Sequence, residues 1–137
     1  SAASDVYKRQ LQKGEYAQAK LVRVLSGRVL DVAVDIRAGS PTFGKHVAVE
    51  LSAENKRQLF IPRGFAHGFA VLSDTAHFAY KCDNFYAPQS EGSIFAFDES
   101  LGIDWQIPRE ACRFSNKDLA AASWKTYCGS PVFRFEE

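Results

Sequence analysis

Residues 20–37 read KLVRVLSGRVLDVAVDIR, and this stretch decides the fold class. It is rich in β-branched side chains, and Ser26-Gly27 in its middle is a candidate for the turn of a β-hairpin. Apolar residues then occupy every second position: Leu30, Val32, Val34 and Ile36. This period of two predicts a strand whose apolar set faces a core, with Asp31 and Asp35 facing outward or into a polar cavity.

Similar short patterns follow along the chain. They are HVAVELS (46–52), QLFIP (58–62), GFAVLS (68–73) and AHFAYKCDNFYA (76–87). Loop residues at 38–45 and a Pro-Arg-Gly turn at 62–64 divide them, and NKDLAAAS (116–123) is a helical candidate. Short strands joined by frequent turns predict an all-β sandwich or barrel with a short C-terminal helical segment.

Bulk properties exclude several classes of protein. The 137 residues suffice for one domain with a substantial core. A net charge of +1 predicts no nucleic-acid partner, and no apolar run has the length of a membrane span. The three cysteines form no CxxC pair, which predicts a reducing, cytoplasmic setting without disulfides. Residues 1–10 lack the β pattern, so we expect a non-native or disordered tail there and a single domain over 11–137.

The sequence lacks the motifs of several common active sites. It has no GxGxxG after a strand, no P-loop and no GxSxG. Pro62, Gly64 and His67 match the PxGxxH pattern of metal-binding proteins of the cupin superfamily, but the preceding strands lack the histidine pair that those proteins also use. A lone imidazole is a poor transition-metal site, so we expect neither a metal nor another cofactor.

His67 stands between two phenylalanines in IPRGFAHGFAVL (61–72). Its surroundings leave three interpretations open: a hydrogen-bonded core histidine, a metal ligand, or a polar group in a largely apolar ligand pocket. Ordinary burial statistics favour the core histidine. The aromatic neighbours and the lack of metal-ligating partners favour the pocket.

Several long segments, in the same order, resemble the dTDP-4-dehydrorhamnose 3,5-epimerase family of deoxysugar (dTDP-rhamnose) biosynthesis. They are residues 19–74, YKCDNFYAPQSEGSI (80–94) and LGIDW (101–105), and the resemblance runs from Leu11 to Phe135. It implies a cupin-type antiparallel β-barrel (jelly roll) that forms a metal-free homodimer. It further implies epimerisation of a dTDP-linked 4-keto-6-deoxysugar by proton abstraction next to the ketone.

The resemblance also implies roles for individual residues. Such chemistry needs a base, a cation near the enolate oxygen and an acid on the opposite face. Lys20 matches the cation, Tyr80 matches the general acid, and Asp118 matches the carboxylate that orients the catalytic histidine. The positions that match substrate contacts are His67, Tyr86, Glu91 and Lys117. Without this resemblance, the sequence would indicate only ordinary strand, helix-start and surface residues at these positions.

The chain departs from the family at the catalytic base. The family's base is the histidine of an RGLH segment, but Gln10 holds that position here and Tyr7 holds that of the arginine. Glutamine cannot accept a proton at neutral pH, so Asp118 has no imidazole to orient and we expect little epimerase activity. An N-terminal region that supplies substrate contacts and an exchanged strand in the family is absent from the sequence, and Phe85 replaces a frequent tyrosine.

Two histories fit this departure: truncation of an ordinary epimerase, or loss of the base in a natural paralogue. The abrupt break beside well-matched residues favours truncation. Two other functions remain open. One is a non-catalytic sugar-nucleotide-binding cupin, and the other is a dTDP-sugar 3,4-ketoisomerase, which would need a histidine pair.

Overall fold

The computed structural model describes residues 4–8, 11–85, 87–113 and 120–136. The strands in these ranges are β1 (Ser4–Lys8), β2 (Leu11–Gln12), β3 (Lys20–Ser26), β4 (Arg28–Asp35), β5 (Arg37–Ala38), β6 (His46–Ser52), β7 (Gln58–Ile61), β8 (Phe65–Val71), β9 (His77–Cys82), β10 (Glu91–Gly92), β11 (Cys112–Arg113) and β12 (Phe133–Arg134). The helical elements there are the α-helix α1 (Trp124–Gly129) and the 3-10 turns Gly14–Tyr16, Pro88–Ser90, Glu99–Leu101 and Arg109–Ala111. The predicted all-β class with a short C-terminal helix is confirmed. Within these ranges no helix has the length and apolar character needed to cross a membrane.

Two of the sheets pack face to face. The larger sheet has the strand order β11-β1-β8-β4-β6, and the smaller has the order β7-β3-β9. Val22 and Val24 of the smaller sheet share one buried apolar cluster with Val29 and Ala33 of the larger. The inner faces of the two sheets therefore enclose a common interior, as in a jelly-roll barrel of the cupin type.

The chain crosses from one sheet to the other at Gly27, and the predicted hairpin at Ser26-Gly27 is wrong. β3 pairs with β7 and β9, whereas β4 pairs with β6 and β8, so β3 and β4 are not partners. Gly27 has a φ of 79°, and a Cβ there would lie 2.3 Å from the carbonyl oxygen of Thr75. Alternation has a period of two on either side of a hairpin or a corner, so the sequence pattern does not distinguish them.

A second crossing, from β7 to β8, uses the predicted turn at residues 62–64. Gly64 has a φ of 84°, and a Cβ at this residue would lie 2.5 Å from Cγ of Arg37. The carbonyl oxygen of Gly64 accepts a hydrogen bond from the backbone N–H of Ile36 at 3.1 Å. This contact joins the start of β8 to the end of β4 and so sets the position of His67 in the larger sheet.

β4 is buried on both faces, although its alternation predicted a single core face. Its apolar set packs against a C-terminal layer that includes Ile94, Ala96, Leu101, Trp105 and Tyr127. The hydroxyl of Tyr127 donates a hydrogen bond to the carbonyl oxygen of Ile36 at 2.6 Å, which ties this layer to the sheet. Asp31 and Asp35, on the other face, are 0% and 1% exposed. Both aspartates are therefore interior residues.

The two ends of the chain modify the predicted boundaries. Residues 4–8 form β1, which pairs with β8 in the larger sheet, and the origin of residues 1–10 stays a prediction. The first half of the predicted helix at 116–123 lies outside the described residues, and its described half, residues 120–123, is not helical. α1 begins directly after it, at Trp124, where the hydroxyl of Ser123 accepts a hydrogen bond from the backbone N–H of Thr126 at 3.1 Å. Ser123 is thus the N-cap of this helix.

Asp35 organises the loop between β4 and β6. Its carboxylate accepts hydrogen bonds from the backbone and guanidinium of Arg37 at 2.9–3.0 Å and from the hydroxyls of Ser40 and Thr42 at 2.5 Å. Burial alone would raise the pKa of Asp35, but these hydrogen bonds outweigh it and hold the pKa well below its usual range. The buried charge therefore stabilises the fold only while its donors are in place.

Replacing Asp35 with asparagine is expected to lower the free energy of unfolding by about 3 kcal/mol at neutral pH, because Arg37 and the two hydroxyls lose their charged acceptor. Since folding lowers the pKa of Asp35, its stabilisation is present above the unfolded value of about 3.9 and is lost as the pH falls below it. The difference between the wild type and Asp35→Asn should therefore shrink from about pH 5 to pH 2. Urea denaturation at several pH values measures both effects.

Asp74→Asn is the matched control for this experiment. Asp74 is exposed, so its replacement should change the free energy of unfolding by less than about 0.5 kcal/mol. Equal losses for the two variants, or a difference that does not depend on pH, would contradict this account of Asp35.

Candidate active site

Lys20 and Tyr80 lie on the inner face of the smaller sheet. Burial alternates along β3, and Lys20, at 9% exposure, belongs to the inward set with Val22. Tyr80 of β9 is the partner of Val22 across the antiparallel pair, and Cys82 is the partner of Lys20. Lys20 and Tyr80 are therefore diagonal neighbours, a relation that places side chains about 7–8 Å apart. Tyr80 keeps 38% of its surface exposed, so its ring also reaches solvent.

Hydrogen bonds to the main chain hold the segment that precedes Lys20. The backbone N–H of Ala19 donates to a carboxylate oxygen of Asp83 at 2.9 Å. The side-chain amide of Asn84 donates to the carbonyl oxygens of Glu15 and Ala17 at 2.7 and 3.3 Å. Because Asp83 and Asn84 directly follow β9, the start of β3 and the end of β9 are fixed together, and with them Lys20 and Tyr80.

The larger sheet supplies a buried imidazole–carboxylate pair on the opposite wall. His67 of β8 is 4% exposed, and Asp31 of the adjacent strand β4 is fully buried. Nε2 of His67 lies 2.5 Å from Oδ1 of Asp31. A hydrogen bond of this length between a ring nitrogen and a carboxylate holds the ring in one orientation.

Aromatic rings connect the two walls. Phe69 of the larger sheet stacks on Phe78 of the smaller sheet with ring centroids 4.3 Å apart. The ring of His67 lies 6.1 Å from that of Phe78, which in turn lies 6.1 Å from that of Tyr80. His67 and Tyr80 thus flank one aromatic stack from opposite sheets. An interior that is mostly apolar, with a few placed polar groups, has the composition of a small-molecule site.

Among the described residues, Asp31 is a buried carboxylate whose hydrogen bonding is incomplete. Burial raises the pKa of Asp31 above its usual range, while the hydrogen bond with His67 and the charges of His67 and Lys20 act in the opposite direction. Lys20 is therefore close enough to Asp31 for its charge to act across the interior. Within the described ranges, Oδ2 of Asp31 is the one fully buried side-chain nitrogen or oxygen without a hydrogen bond. Such orphaned acceptors are costly, so their presence needs a functional explanation.

A separate apolar cavity lies on the other face of the larger sheet. Its lining includes Val32, Val34, Ala66, His67, Gly68, Ile94, Ala96, Leu101, Ile103 and Trp105. His67 pairs with Ala33, a member of the inter-sheet cluster, so its imidazole faces the other side of the sheet. The other lining side chains offer no acid, base or charge, and most of them belong to the buried cluster beneath the C-terminal layer. We therefore assign this cavity to the core and the inter-sheet interior to the site.

The structure brings three of the predicted site residues to one interior: Lys20, Tyr80 and His67. Glu91 begins β10, where it pairs with Gln12 of β2. The other predicted residues, Tyr86, Lys117 and Asp118, lie outside the described residues, as does Gln10. Their roles stay predictions.

Asp31 is the site residue that the sequence reasoning missed. The alternation in β4 left it either in solvent or in a polar cavity, and the structure places it against His67. A signal was present, because an aspartate set among Val, Leu and Ala in a strand is rarely buried without a partner. What the sequence could not supply was the identity of that partner on a neighbouring strand.

Metal-ligating side chains do not converge in the described part of the chain. No group of three or more His, Cys, Asp or Glu residues there has an arrangement that could hold a metal ion. The Asp31–His67 pair belongs to no such group among these residues.

A jelly-roll barrel whose inner walls carry a lysine, a tyrosine and an imidazole–carboxylate pair is a cupin-type fold with a candidate acid–base site. A family model described as dTDP-4-dehydrorhamnose 3,5-epimerase matches residues 9–126 of the chain. The chain belongs to the dTDP-4-dehydrorhamnose 3,5-epimerase family.

Individual relatives agree with this assignment. The dTDP-4-dehydrorhamnose 3,5-epimerase of Salmonella typhimurium (strain LT2) is 60% identical over 113 residues, which are 80% of this chain and 60% of the relative. The crystal structure of the Elizabethkingia anophelis enzyme superposes with a TM-score of 0.86 at 57% identity, over 89% of this chain and 67% of that one. A Legionella pneumophila dTDP-6-deoxy-D-glucose-3,5-epimerase, in complex with dTDP-4-keto-L-rhamnose, has a TM-score of 0.86 at 46% identity, over 98% and 74%. The chain spans about three-fifths of the length of the curated Salmonella relative.

Removing the charge of Lys20 should raise the pKa of Asp31 further. In Lys20→Met, burial still disfavours the carboxylate, but one of the charges that oppose this effect is gone. Carbon-13 NMR of the aspartate carboxyl groups should show the Asp31 midpoint at a higher pH than in the wild type. Lys45→Met, which removes an exposed lysine, is the control and should leave that midpoint in place. An unchanged midpoint in Lys20→Met would place the ammonium group outside the shared interior.

Proposed function

We propose that this chain binds a dTDP-linked 4-keto-6-deoxyhexose between its two sheets and epimerises it through an enolate. One observation carries the proposal: Lys20 and Tyr80 on one inner wall face the Asp31–His67 pair on the other. Epimerisation removes a proton from one face of a carbon and returns one to the opposite face, so it requires groups on two opposed walls. The dTDP-4-keto-L-rhamnose bound to the Legionella relative supports the ligand class.

Lys20 stabilises the charge that develops on the ketone oxygen. A proton next to a carbonyl becomes acidic when a positive group meets the forming oxyanion. Lys20 is 9% exposed, and a charge in such a water-poor site acts more strongly than it would in solvent. Its strand is held in register on both sides, by β7 and by β9, so little reorganisation is needed during reaction.

Tyr80 delivers a proton to the carbon from the face opposite the base. Its ring is close to the aromatic stack and its surface is partly exposed, so the phenol can regain a proton from solvent after each turnover. Its diagonal position relative to Lys20 suits an acid that acts on the carbon next to the ketone while Lys20 meets the ketone oxygen.

The remaining predicted residues complete the substrate site in this proposal. His67 contacts the sugar, and Tyr86 stacks on the thymine ring. Glu91 and Lys117 bind the sugar nucleotide, and Asp118 occupies the place of the carboxylate that orients a catalytic imidazole in the family. These assignments rest on the matched family positions.

The glutamine at position 10 is the reason to expect slow epimerisation. An amide at the position of the family's base cannot take up the proton, and loss of a general base typically costs about 10²–10⁴-fold. We therefore expect slow epimerisation by this chain. Gln10→His alone should restore little if substrate contacts from a longer N-terminal region are also needed.

We further propose a cytoplasmic homodimer. Among the described residues no disulfide joins Cys82, Cys112 and Cys128, which fits a reducing compartment. The homodimer is taken from the family resemblance.

A non-catalytic sugar-nucleotide-binding module is the second candidate, and Gln10 is the observation that favours it. Such a module would be stabilised by dTDP in a thermal-shift titration but would not exchange protons. If the chain is an enzyme, it should be stabilised by dTDP and should also exchange protons. Retention of Lys20 and Tyr80 in a shared interior favours the enzyme, because binding alone has no need of a buried cation beside a phenol.

Two substitutions on the smaller sheet should separate proton removal from proton delivery. With a dTDP-4-keto-6-deoxyhexose in deuterated water, Lys20→Met should slow both deuterium uptake and epimer formation by about 10²–10⁴-fold, because the enolate loses its counter-charge. Tyr80→Phe should slow epimer formation by a similar factor but leave more of the deuterium uptake, since the base can return a deuteron to the original face. Proton NMR of the sugar measures both quantities.

Tyr16→Phe is the control, because Tyr16 is a half-buried tyrosine of the 3-10 turn Gly14–Tyr16 with no assigned role. It should retain the wild-type rates. Wild-type deuterium uptake at the rate of a full-length family member would contradict the slow reaction expected from Gln10. Absence of any dTDP-induced thermal stabilisation would overturn the proposed function itself.

A further inference from the structure

We infer that the Asp31–His67 pair is the proton acceptor of this chain, with Nδ1 of His67 removing the proton next to the ketone and Asp31 positioning the ring. The inference rests on the proposed function, which supplies the keto-sugar. It deepens that function because the residue at the family's base position, Gln10, cannot accept the proton.

The hydrogen bond between the two side chains assigns a role to each ring nitrogen. Nε2 of His67 is bonded to Oδ1 of Asp31 at 2.5 Å. A carboxylate accepts hydrogen bonds and does not donate them, so it selects the tautomer that carries its proton on Nε2. The lone pair then resides on Nδ1. This is the logic of a histidine–aspartate pair in which the nitrogen remote from the carboxylate is the base.

Nδ1 is open to the interior. It makes no hydrogen bond to a described residue, since the hydrogen bond of His67 there is the one through Nε2. If Nδ1 were fully buried it would be an orphaned atom, yet within the described ranges that condition applies to Oδ2 of Asp31. Nδ1 is therefore not fully buried, and the ring that carries it lies beside Phe78 of the sheet that also holds Lys20 and Tyr80.

The surrounding charges suit a histidine that becomes a cation during the reaction. Asp31 on β4 is fully buried, so its negative charge would act on the imidazolium with little screening. Among the described side chains that face this interior, Lys20 on β3 carries the opposing positive charge, and Tyr80 on β9 is a phenol. The rings of Phe69 and Phe78 also lie beside the imidazole. Once the enolate forms, its oxygen offsets the charge of Lys20.

The step balances without any further reactant. The C–H bond next to the ketone breaks, its proton moves to Nδ1 of His67, and its electron pair forms a C=C bond while the carbonyl π pair becomes the negative charge on oxygen beside Lys20. Return of the proton from His67 restores the original configuration, with a deuteron if the ring has exchanged with solvent. Delivery from Tyr80 on the opposite wall inverts the carbon. Solvent then reprotonates the phenolate of Tyr80 and removes the proton from His67.

The decisive experiment measures deuterium uptake by a dTDP-4-keto-6-deoxyhexose alongside the dissociation constant of dTDP. His67→Asn should lower the uptake rate by at least about 10²-fold and leave dTDP affinity in place. His77→Asn, which replaces an exposed histidine on β9, is the matched control and should leave both unchanged.

Asp31→Asn should also slow uptake. It should move the acid limb of the pH–rate profile to lower pH, because the carboxylate no longer stabilises the imidazolium. A merely structural role for Asp31 would not move that limb.

Nitrogen-15 NMR of the imidazole in the wild-type chain tests the pair without any variant. In the neutral ring it should show the proton of His67 on Nε2 and none on Nδ1. A proton on Nδ1, wild-type uptake in His67→Asn, or no uptake by a wild-type chain that binds dTDP would each overturn the inference. A wild-type chain that does not bind dTDP overturns the proposed function instead, and the tautomer of His67 then decides whether the pair is built as a base.

Discussion

Burial of β4 on both faces is the constraint on which the rest of the structure depends. The C-terminal layer covers one face and the smaller sheet covers the other, so residues 29–35 of the strand lie away from water. A charged side chain in such a strand is unfavourable unless it is paired and hydrogen-bonded. β4 carries two of them, Asp31 and Asp35, and the way in which each is satisfied separates a structural aspartate from a functional one.

Asp35 uses both of its oxygens, which bind Arg37, Ser40 and Thr42, and it stabilises the turn that returns the chain to the sheet. Asp31 uses one oxygen, which binds His67, and leaves the other without a partner among the described residues. A site that is incompletely satisfied in this way costs stability. This cost is explained if the pair serves proton transfer. In that role Nδ1 of His67 stays unbonded so that it can take up a proton, and Asp31 lies beside the ring to orient it.

Local chemistry made much of the fold predictable. The predicted strand at 46–52 coincides with β6, because alternation and flanking turn residues determine where a strand lies. Sheet partners were not predictable in the same way, since Gly27 could equally have closed a hairpin. The aromatic neighbours of His67 already indicated a pocket residue, whereas Lys20 and Tyr80 came from the family resemblance. The shared interior of these three residues follows only from strand pairing. Asp31 was missed because its burial depends on a covering layer that lies far along the chain.

The account is tested most directly by a crystal structure of the chain with a dTDP-hexose that lacks the 4-ketone and therefore cannot form the enolate. It predicts that the hexose lies between the two sheets, with O4 at a hydrogen-bond distance of about 3 Å from Nζ of Lys20. It also predicts Tyr80 and His67 on opposite faces of the sugar ring. A hexose bound outside this interior, or both residues on one face of the ring, would contradict it.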